Sequence, residues 1–192
     1  FNNINLDLKS NKTIGLKGHS GSGKTTFLNT ICGLIDTGDN SFLINDNNSK
    51  DINFEKFRNK ISLIPQYPVI FNDTVRNNIA LWDNSITDNL IKLELKKFNL
   101  INLDLNYTID DKGKNLSGGQ LQRINIIREV IKNREIIIFD EPTSSLDYDN
   151  KKLIKKLIFD LKNKKTIIIS SHDEDLLQIC DIVYEIKNKN IF

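Results

Sequence analysis

Residues 13–28 read TIGLKGHSGSGKTTFL, and this stretch decides the fold. An apolar, strand-like run leads into a glycine-rich turn, and a helical apolar pattern follows from Thr25. Glycines let consecutive backbone N–H groups face one ligand, and a helix N-terminus adds partial positive charge. The spacing Gly18-x₄-Gly23-Lys24-Thr25 between a strand and a helix therefore predicts a phosphate-binding loop, or P-loop. A chance glycine-rich turn is the alternative, and the strand–loop–helix context disfavours it.

Two side chains of the P-loop have predicted roles of their own. Lys24 supplies a point charge for the β- and γ-phosphates of a nucleotide, and the Thr25 hydroxyl is placed to bind Mg²⁺. The other residues predicted to bind the nucleotide are Gly18, His19, Ser20, Gly21, Ser22, Gly23 and Thr26.

A second element with predicted chemistry is the apolar run Ile136–Asp140, which ends in a carboxylate and is followed by Glu141. We expect Asp140 to hold Mg²⁺, directly or through water. Glu141, one residue further, would accept a proton from attacking water. An ordinary acidic pair at the end of a strand would be the better interpretation if no P-loop preceded it.

Polar residues also follow two other predicted strands. Gln66 comes after the strand at 61–65 and can contact Mg²⁺ or the attacking water, although taken alone it is better explained as a polar loop residue. His172 comes after the strand at 166–170 and can hydrogen-bond the γ-phosphate; a solvent-exposed histidine is the alternative. The carboxyl end of a strand in an open α/β sheet favours the functional interpretation for His172.

A second glycine-rich turn, Leu116-Ser117-Gly118-Gly119-Gln120, opens another predicted helix at 120–132. Ser117 suits the N-cap position, and two glycines leave the first helical turn bare of side chains. A plain capped helix is the alternative, but consecutive glycines are a costly helix start. Because the chain has one P-loop lysine, we expect this turn to serve a nucleotide held elsewhere, on a second copy of the chain.

The periodicity of the rest of the chain predicts an α/β fold with a mostly parallel sheet flanked by helices. Predicted strands lie at 13–17, 41–45, 61–65, 136–140, 166–170 and 182–186, and predicted helices at 25–34, 86–98, 120–132 and 150–161. Residues 72–114 contain helical patterns without a strong strand. We therefore expect one domain, with a P-loop core at 1–71 and 115–192 and an inserted helical subdomain at 72–114.

The composition of the chain argues against several classes of function. The 192 residues include 27 basic and 25 acidic side chains, a net charge of +2, so no nucleic-acid partner is expected. No apolar run approaches the roughly 18 residues of a membrane span. The two cysteines show no pairing or metal-site pattern. The chain contains no methionine, which predicts that it is a piece of a longer polypeptide.

Taken together, the P-loop, Gln66, the 116–120 turn, Asp140-Glu141, Ser145-Leu146-Asp147 and His172 resemble an ABC-type ATPase over the whole chain. The resemblance implies that two such domains pair head to tail around ATP and Mg²⁺. Each ATP would lie between the P-loop of one copy and Ser117, Gly118, Gly119 and Gln120 of the other. It further implies that Glu141 is the general base, His172 the γ-phosphate switch and Asp147 a residue of the dimer seam.

The subtype also follows from a resemblance. Residues 65–79 (PQYPVIFNDTVRNNI) and 110–115 (DDKGKN) are similar to exporter-type domains, which are fused to their own membrane helices. This implies a place at the cytoplasmic face of the cell membrane, with Gln66 coupled to transmembrane domains, and it places the family's opening strands and adenine-stacking aromatic residue upstream of Phe1. Alternatives are a soluble ABC-type ATPase of DNA repair, chromosome organisation or translation, and a non-hydrolysing ATP-binding module.

Overall fold

A computed structural model of the chain describes residues 8–35, 43–44, 47–144, 146–187 and 190–191. Its strands are β1 (Thr13–Lys17), β2 (Leu43–Ile44), β3 (Asn47–Asn48), β4 (Ile61–Ile64), β5 (Ile136–Asp140), β6 (Thr166–Ser171), β7 (Ile182–Lys187) and β8 (Asn190–Ile191). Its helices are α1 (Lys24–Ile31), α2 (Phe54–Arg58), α3 (Val75–Ala80), α4 (Asp88–Lys97), α5 (Gly118–Val130), α6 (Tyr148–Leu161) and α7 (Glu174–Leu177).

The main sheet has the strand order β4-β5-β6-β1-β7-β8. Its neighbours are parallel except for the β7–β8 pair, and β2 and β3 form a separate antiparallel pair. The predicted mostly parallel α/β fold is thus confirmed. The register pairs Lys17 with Ser171 and Asp140 with Ser170, so β1, β5 and β6 end side by side. Residues that follow these three strands therefore meet at one edge of the sheet.

Both faces of the sheet are buried, as the continuous apolar runs of its central strands predict. Successive side chains of a strand point to opposite faces. In β5, Ile137 and Phe139 accordingly join a core that includes Ile124 and Ile127 of α5, while Ile138 joins a second core with Phe27 of α1. The strand that ends at Asp140 is held from both sides, which fixes the position of the carboxylates that follow it.

The helices of the inserted segment are mainly α3 and α4. Its boundaries with the core, at 72 and 114, remain our proposal. It also contains an extended pairing that the sequence did not predict. Ile109 N–H donates to the carbonyl of Asp73 at 2.9 Å, and Arg76 N–H donates to the carbonyl of Leu105 at 3.0 Å. This pairing ties the start of α3 to the residues that precede the second glycine-rich turn.

Element boundaries differ from the predicted ones where side-chain caps act. The helix predicted at 120–132 begins at Gly118 because Ser117 caps it, and the helix predicted at 150–161 begins at Tyr148 because Asp147 caps it. The short helices α2, α3 and α7 are too brief to show a helical period. In the strand predicted at 41–45, residues 41, 42 and 45 lie outside the described part of the chain. None of the helices in the described ranges is long and apolar enough to cross a membrane.

Asp181 joins the first strand of the fold to the end of α6. Its carboxylate accepts from the N–H of Thr13 at 2.9 Å and lies 2.9 Å from the ammonium of Lys162. The Thr13 hydrogen bond, and then Lys162, hold the pKa of Asp181 below its usual range. A depressed pKa stabilises the folded chain above the carboxyl's unfolded pKa, and this contribution is lost as the pH falls through the folded value.

We therefore expect Asp181→Asn to lower the free energy of unfolding by roughly 1 kcal/mol at neutral pH, or about 2–4 °C in melting temperature. The difference from the unmodified chain should shrink as the pH falls below about 4, because the Asp181 carboxyl is protonated first in the unfolded chain and only at lower pH in the folded chain. Melting curves at several pH values measure this difference. Asp160→Asn, a change at an exposed position of α6, is the matched control. A deficit of the same size at every pH would contradict the assignment.

Candidate functional site

The P-loop joins β1 to α1 through a backbone that its glycines make possible. Gly21 and Gly23 have φ angles of 78° and 106°, which side-chain-bearing residues rarely adopt. Gly23 is the N-cap of α1, and this helix has no side-chain cap. The N–H groups of its first turn therefore remain available to a ligand, and the helix dipole favours an anion there.

Lys24, the first residue of α1, holds its ammonium inside the loop and is only 6% exposed. The ammonium donates to the carbonyl of Gly18 at 2.7 Å and to that of His19 at 3.1 Å. It also lies 3.2 Å from Oε1 of Glu141. Gly18 and His19 therefore act on the site through backbone carbonyls that aim the lysine, and they do not line the cavity described below.

Thr25, the residue after the lysine, is hydrogen-bonded to Asp140. The Thr25 hydroxyl donates to Oδ2 of Asp140 at 2.6 Å. The other carboxylate oxygen of Asp140 accepts a short hydrogen bond from the Ser170 hydroxyl. Asp140 is 4% exposed, so these contacts satisfy a nearly buried carboxylate.

Glu141 leaves the end of β5 in an unusual backbone conformation. Its φ angle of 47° lies in the left-handed region, where a non-glycine residue is strained. Its N–H donates to the carbonyl and the hydroxyl of Ser170, at 3.0 and 3.1 Å. Its Oε2 lies 2.9 Å from Nδ1 of His172. The backbone turn thus aims one carboxylate at both Lys24 and His172, which is how local strain serves functional sites.

Ser170 is the site residue that sequence reasoning missed. It fixes Asp140 through its hydroxyl and Glu141 through both its hydroxyl and its carbonyl, and it is fully buried. The available signal was a serine at the end of an otherwise apolar strand. Recognising it requires the β5–β6 pairing, because β6 is separated from β5 by α6.

The predicted catalytic side chains line one cavity of about 260 Å³. Its lining residues are Ser20, Gly21, Gly23, Lys24, Thr25, Thr26, Gln66, Glu141 and His172. The chain thus brings the P-loop and three residues that come after parallel strands, Gln66, Glu141 and His172, to one place. Ser22 has a buried hydroxyl that finds no hydrogen-bond partner in the described part of the chain.

The second glycine-rich turn does not line this cavity. Ser117 and Gln120 form a reciprocal capping box: the Ser117 hydroxyl accepts from Gln120 N–H at 3.2 Å, and Gln120 Oε1 accepts from Ser117 N–H at 2.8 Å. A Cβ built on Gly118 would meet nothing within 4 Å. The turn is therefore a preformed surface feature, and in this chain the Gln120 amide serves its own helix.

Asp147 lies on the same surface as that turn. It caps α6 by accepting from the backbone N–H and the side-chain amide of Asn150, each at 2.9 Å. The first of these bonds lowers the pKa of Asp147, and Arg123 contributes to the same shift. A Cβ on Gly119 would lie 3.4 Å from the Asn150 amide, so Asp147 and the turn share a neighbour. Ser145 lies outside the described residues.

A larger groove of about 780 Å³ runs beside α4. It is lined by α4 and by residues 101–106, and its charged side chains, Asp88, Lys92, Lys96 and Asp104, are all exposed to solvent. We place the functional site in the smaller cavity because a buried lysine, a strained glutamate, a glutamine and a histidine converge there. No cluster of three or more His, Cys, Asp or Glu side chains suited to a metal occurs in the ranges that the structure describes.

The family model for ABC transporters matches residues 1–144, three quarters of the chain. The chain belongs to the ABC transporter family. A probable ABC transporter ATP-binding/permease protein of Haemophilus influenzae is 35% identical over 98% of the chain. The ATP-dependent lipid A-core flippase of Yersinia pestis is 32% identical over all of it, and human ATP-binding cassette sub-family B member 5 is 30% identical over 96%.

These similarities concern one part of larger proteins. The chain spans 35%, 34% and 15% of those three relatives. A solved structure of a bacterial Atm1-family ABC exporter with ATP bound matches 98% of this ABC-family chain with a TM-score of 0.89 and 23% identity, and the chain covers 34% of it. That likeness shows the fold. Because these relatives are named as transporters, a soluble ABC-type ATPase is not the favoured alternative.

Proposed function

We propose that this chain binds and hydrolyses ATP as the nucleotide-binding domain of an ABC exporter. The observation that carries the proposal is the convergence of Lys24, Gln66, Glu141 and His172 on one cavity beside the P-loop. This arrangement offers positive charge for the phosphates, a carboxylate base and two polar groups to orient water. A P-loop without the other three side chains would support binding alone.

The proposed mechanism assigns one task to each group. The free N–H groups of the P-loop and of the first turn of α1 bind phosphate oxygens, and Lys24 neutralises the charge that develops on the γ-phosphate. Glu141 accepts the proton of the attacking water. His172, in hydrogen-bond contact with Glu141, orients that water and the γ-phosphate. Burial of the Lys24–Glu141 pair, at 7% and 9% side-chain exposure, strengthens the electrostatics of the site.

The donor set of the site also fits Mg²⁺. The Thr25 hydroxyl and the Asp140 carboxylate, 2.6 Å apart, are the hard oxygen ligands that Mg²⁺ prefers, and the Gln66 amide lines the same cavity. These three residues would hold the ion. When bound, Mg²⁺ would supply positive charge that offsets the charge of the β- and γ-phosphates.

A second copy of the chain, or a paralogue, would complete the site. Ser117, Gly118 and Gly119 present a preformed helix start outside the cavity of their own chain, with Ser117 and Gly118 exposed and Gly119 half-buried. Asp147 shares its surface. Such a turn suits the γ-phosphate of an ATP held by the partner's P-loop. Gln120 would support it by capping the helix.

Transmembrane domains are the second proposed partner, in the same parent polypeptide and at the cytoplasmic face of the membrane. The segment after Gln66 exposes apolar side chains: Tyr67 is 77% exposed and Val69 53%, and the half-exposed Trp82 contacts the Phe71 ring with centroids 5.4 Å apart. Exposed aromatic side chains that lie near one another are typical of protein interfaces. No nucleic-acid partner is proposed, because the net charge is only +2.

A phosphate-release assay tests this function. With ATP and Mg²⁺ the chain should release phosphate, and chelation of Mg²⁺ with EDTA should reduce the rate at least about 10²-fold, because Thr25 and Asp140 then lack the charge that positions the phosphates. Excess Mg²⁺ should restore the rate. Failure to release phosphate, or an equal rate in EDTA, would overturn the proposal.

A further inference from the structure

Arg128 of α5 is a buried cation bonded to carbonyl oxygens. It is 4% exposed, and burial lowers the pKa of its guanidinium. Its Nε donates to the carbonyl of Asn78 at 2.5 Å, and its Nη1 donates to the carbonyl of Val69 at 2.6 Å. Weaker contacts at 3.4 Å reach the side-chain oxygens of Asn125 and Asn78. Desolvating a guanidinium is expensive, and these hydrogen bonds offset that cost only while Val69 and Asn78 stay in place.

Asn78 of α3 extends this contact into the segment that follows Gln66. Asn78 is fully buried, and its Oδ1 accepts from Phe71 N–H at 2.9 Å. Its amide donates to the carbonyls of Phe71, Asp73 and Thr74, at 2.9, 3.2 and 3.1 Å. One side chain therefore fixes the backbone from 71 to 74. Arg128 also lies over the Phe71 ring, 5.4 Å from its centroid.

Gln66 lies between two fixed points. On one side β4 ends at Ile64 in the buried sheet. On the other side Val69 is bound by Arg128, and only Tyr67 and Pro68 intervene. The ring of Pro68 restricts its own φ angle and the conformation of the residue before it. A displacement of Val69 should therefore displace Gln66 as well, because the two residues between them have little conformational freedom.

The same helix carries the second glycine-rich turn. Ser117 caps α5, and Arg128 lies 11 positions later, about 16 Å along the helix axis. A helix transmits a shift of its N-terminus as a rigid body over this distance. Ser117 and Gln66 would act on different ATP molecules in the proposed dimer, because the first faces a partner's nucleotide and the second faces its own.

We propose that Arg128 and Asn78 are positioning residues that fasten the segment after Gln66 to α5, so that closure of the Ser117–Gly119 turn on one ATP places Gln66 at the other. The inference rests on the proposed function. A lysine cannot replace Arg128, because a single ammonium cannot replace the planar fork that binds the carbonyls of Val69 and Asn78 together.

The kinetic test is a double-mutant cycle with Gln66. Arg128→Lys should lower kcat for ATP hydrolysis about 10–100-fold with little change in the KM for ATP, because a misplaced positioning group affects the chemical step. In a Gln66→Ala background the same change should have little further effect, since Arg128 acts through Gln66. Arg134→Lys is the matched control, because Arg134 also donates to backbone carbonyls, those of Arg58 and Ile61, away from the cavity.

A second variant and an optical signal separate positioning from folding. Asn78→Asp keeps the size of the side chain and its acceptor but removes the three donated hydrogen bonds. Asn89→Asp, at an exposed position of α4, is its control. Trp82, the single tryptophan, contacts the Phe71 ring with centroids 5.4 Å apart and reports on the segment directly. Its emission should change when MgATP binds a Glu141→Gln chain, and both Arg128→Lys and Asn78→Asp should abolish that change while MgATP still binds.

Several outcomes would overturn the proposal. One is an additive loss of kcat when Arg128→Lys is made in the Gln66→Ala background. Another is a change in Trp82 emission that persists in both variants or is absent from the parent chain. A third is loss of the folded state in the variants, measured by circular dichroism, which would show a purely structural role. A chain that binds MgATP without releasing phosphate would contradict the proposed function rather than this inference. The Trp82 measurement would then still decide this inference, because it does not depend on hydrolysis.

Discussion

Glu141→Gln should reduce the rate of ATP hydrolysis by about 10²–10⁴-fold while MgATP still binds. The glutamine keeps the size of the side chain and an oxygen that can accept from Lys24 and His172, but it cannot take up the proton of attacking water. The strained backbone at Glu141 places this side chain against both partners, at 3.2 and 2.9 Å. Single-turnover phosphate release and nucleotide binding are measured on the same preparation.

The matched control for this change is Glu135→Gln, on an exposed residue that pairs loosely with Lys60 at 3.4 Å. It should leave both hydrolysis and binding unchanged. If Glu141→Gln hydrolysed ATP at the normal rate, Glu141 would not be the general base. If it lost nucleotide binding as well, the carboxylate would be part of the binding site rather than the chemistry.

Lys24→Ala should also abolish most of the activity, by removal of the cation from the phosphate site. By analogy with the loss of one preorganised donor, the expected loss of transition-state stabilisation is about 2.7–4 kcal/mol, or roughly 10²–10³-fold in rate. The change also leaves the nearly buried Glu141 without its cation. Lys60→Ala, which removes an exposed lysine, is the control. Unchanged turnover in the Lys24→Ala chain would contradict the P-loop assignment.

Much of this site follows from the sequence because its parts obey local rules. The P-loop predicts its own strand, turn and helix, and Ile136–Asp140 is apolar enough to be recognised as a buried strand. Parallel strands place their carboxyl ends at one edge of the sheet. Asp140, Glu141 and His172 follow or end such strands and lie at this edge, and two of them line one cavity.

The remaining features depend on contacts between distant parts of the chain. Ser170 acts on Asp140 across 30 positions, through a strand pairing that no local pattern encodes. The left-handed conformation of Glu141 is a non-glycine exception that its neighbours enforce. The hydrogen bond between Arg128 and Asn78 likewise joins residues that are 50 positions apart. From the sequence alone, a single arginine on a predicted helix would be assigned to the solvent-exposed face of that helix.

The second glycine-rich turn combines a structure that one chain forms with a proposed role that requires a second chain. Sequence predicts a capped, ligand-facing helix start, and the described structure contains its capping box. Its ligand-binding role remains a prediction, because the turn lies outside the cavity of its own chain. We therefore propose that one copy is catalytically incomplete and that two copies share each ATP.

Mixing two inactive variants tests this claim most directly. Ser117→Arg should block the exposed turn and Lys24→Ala should disable the P-loop, so each chain alone should hydrolyse little ATP; Ser85→Arg, at another exposed serine, is the control for the added arginine. A heterodimer of the two variants contains one unmodified P-loop facing one unmodified turn. If two copies share each ATP, phosphate release should reappear on mixing, up to about one site per dimer. Heterodimers that form but never recover activity would contradict it.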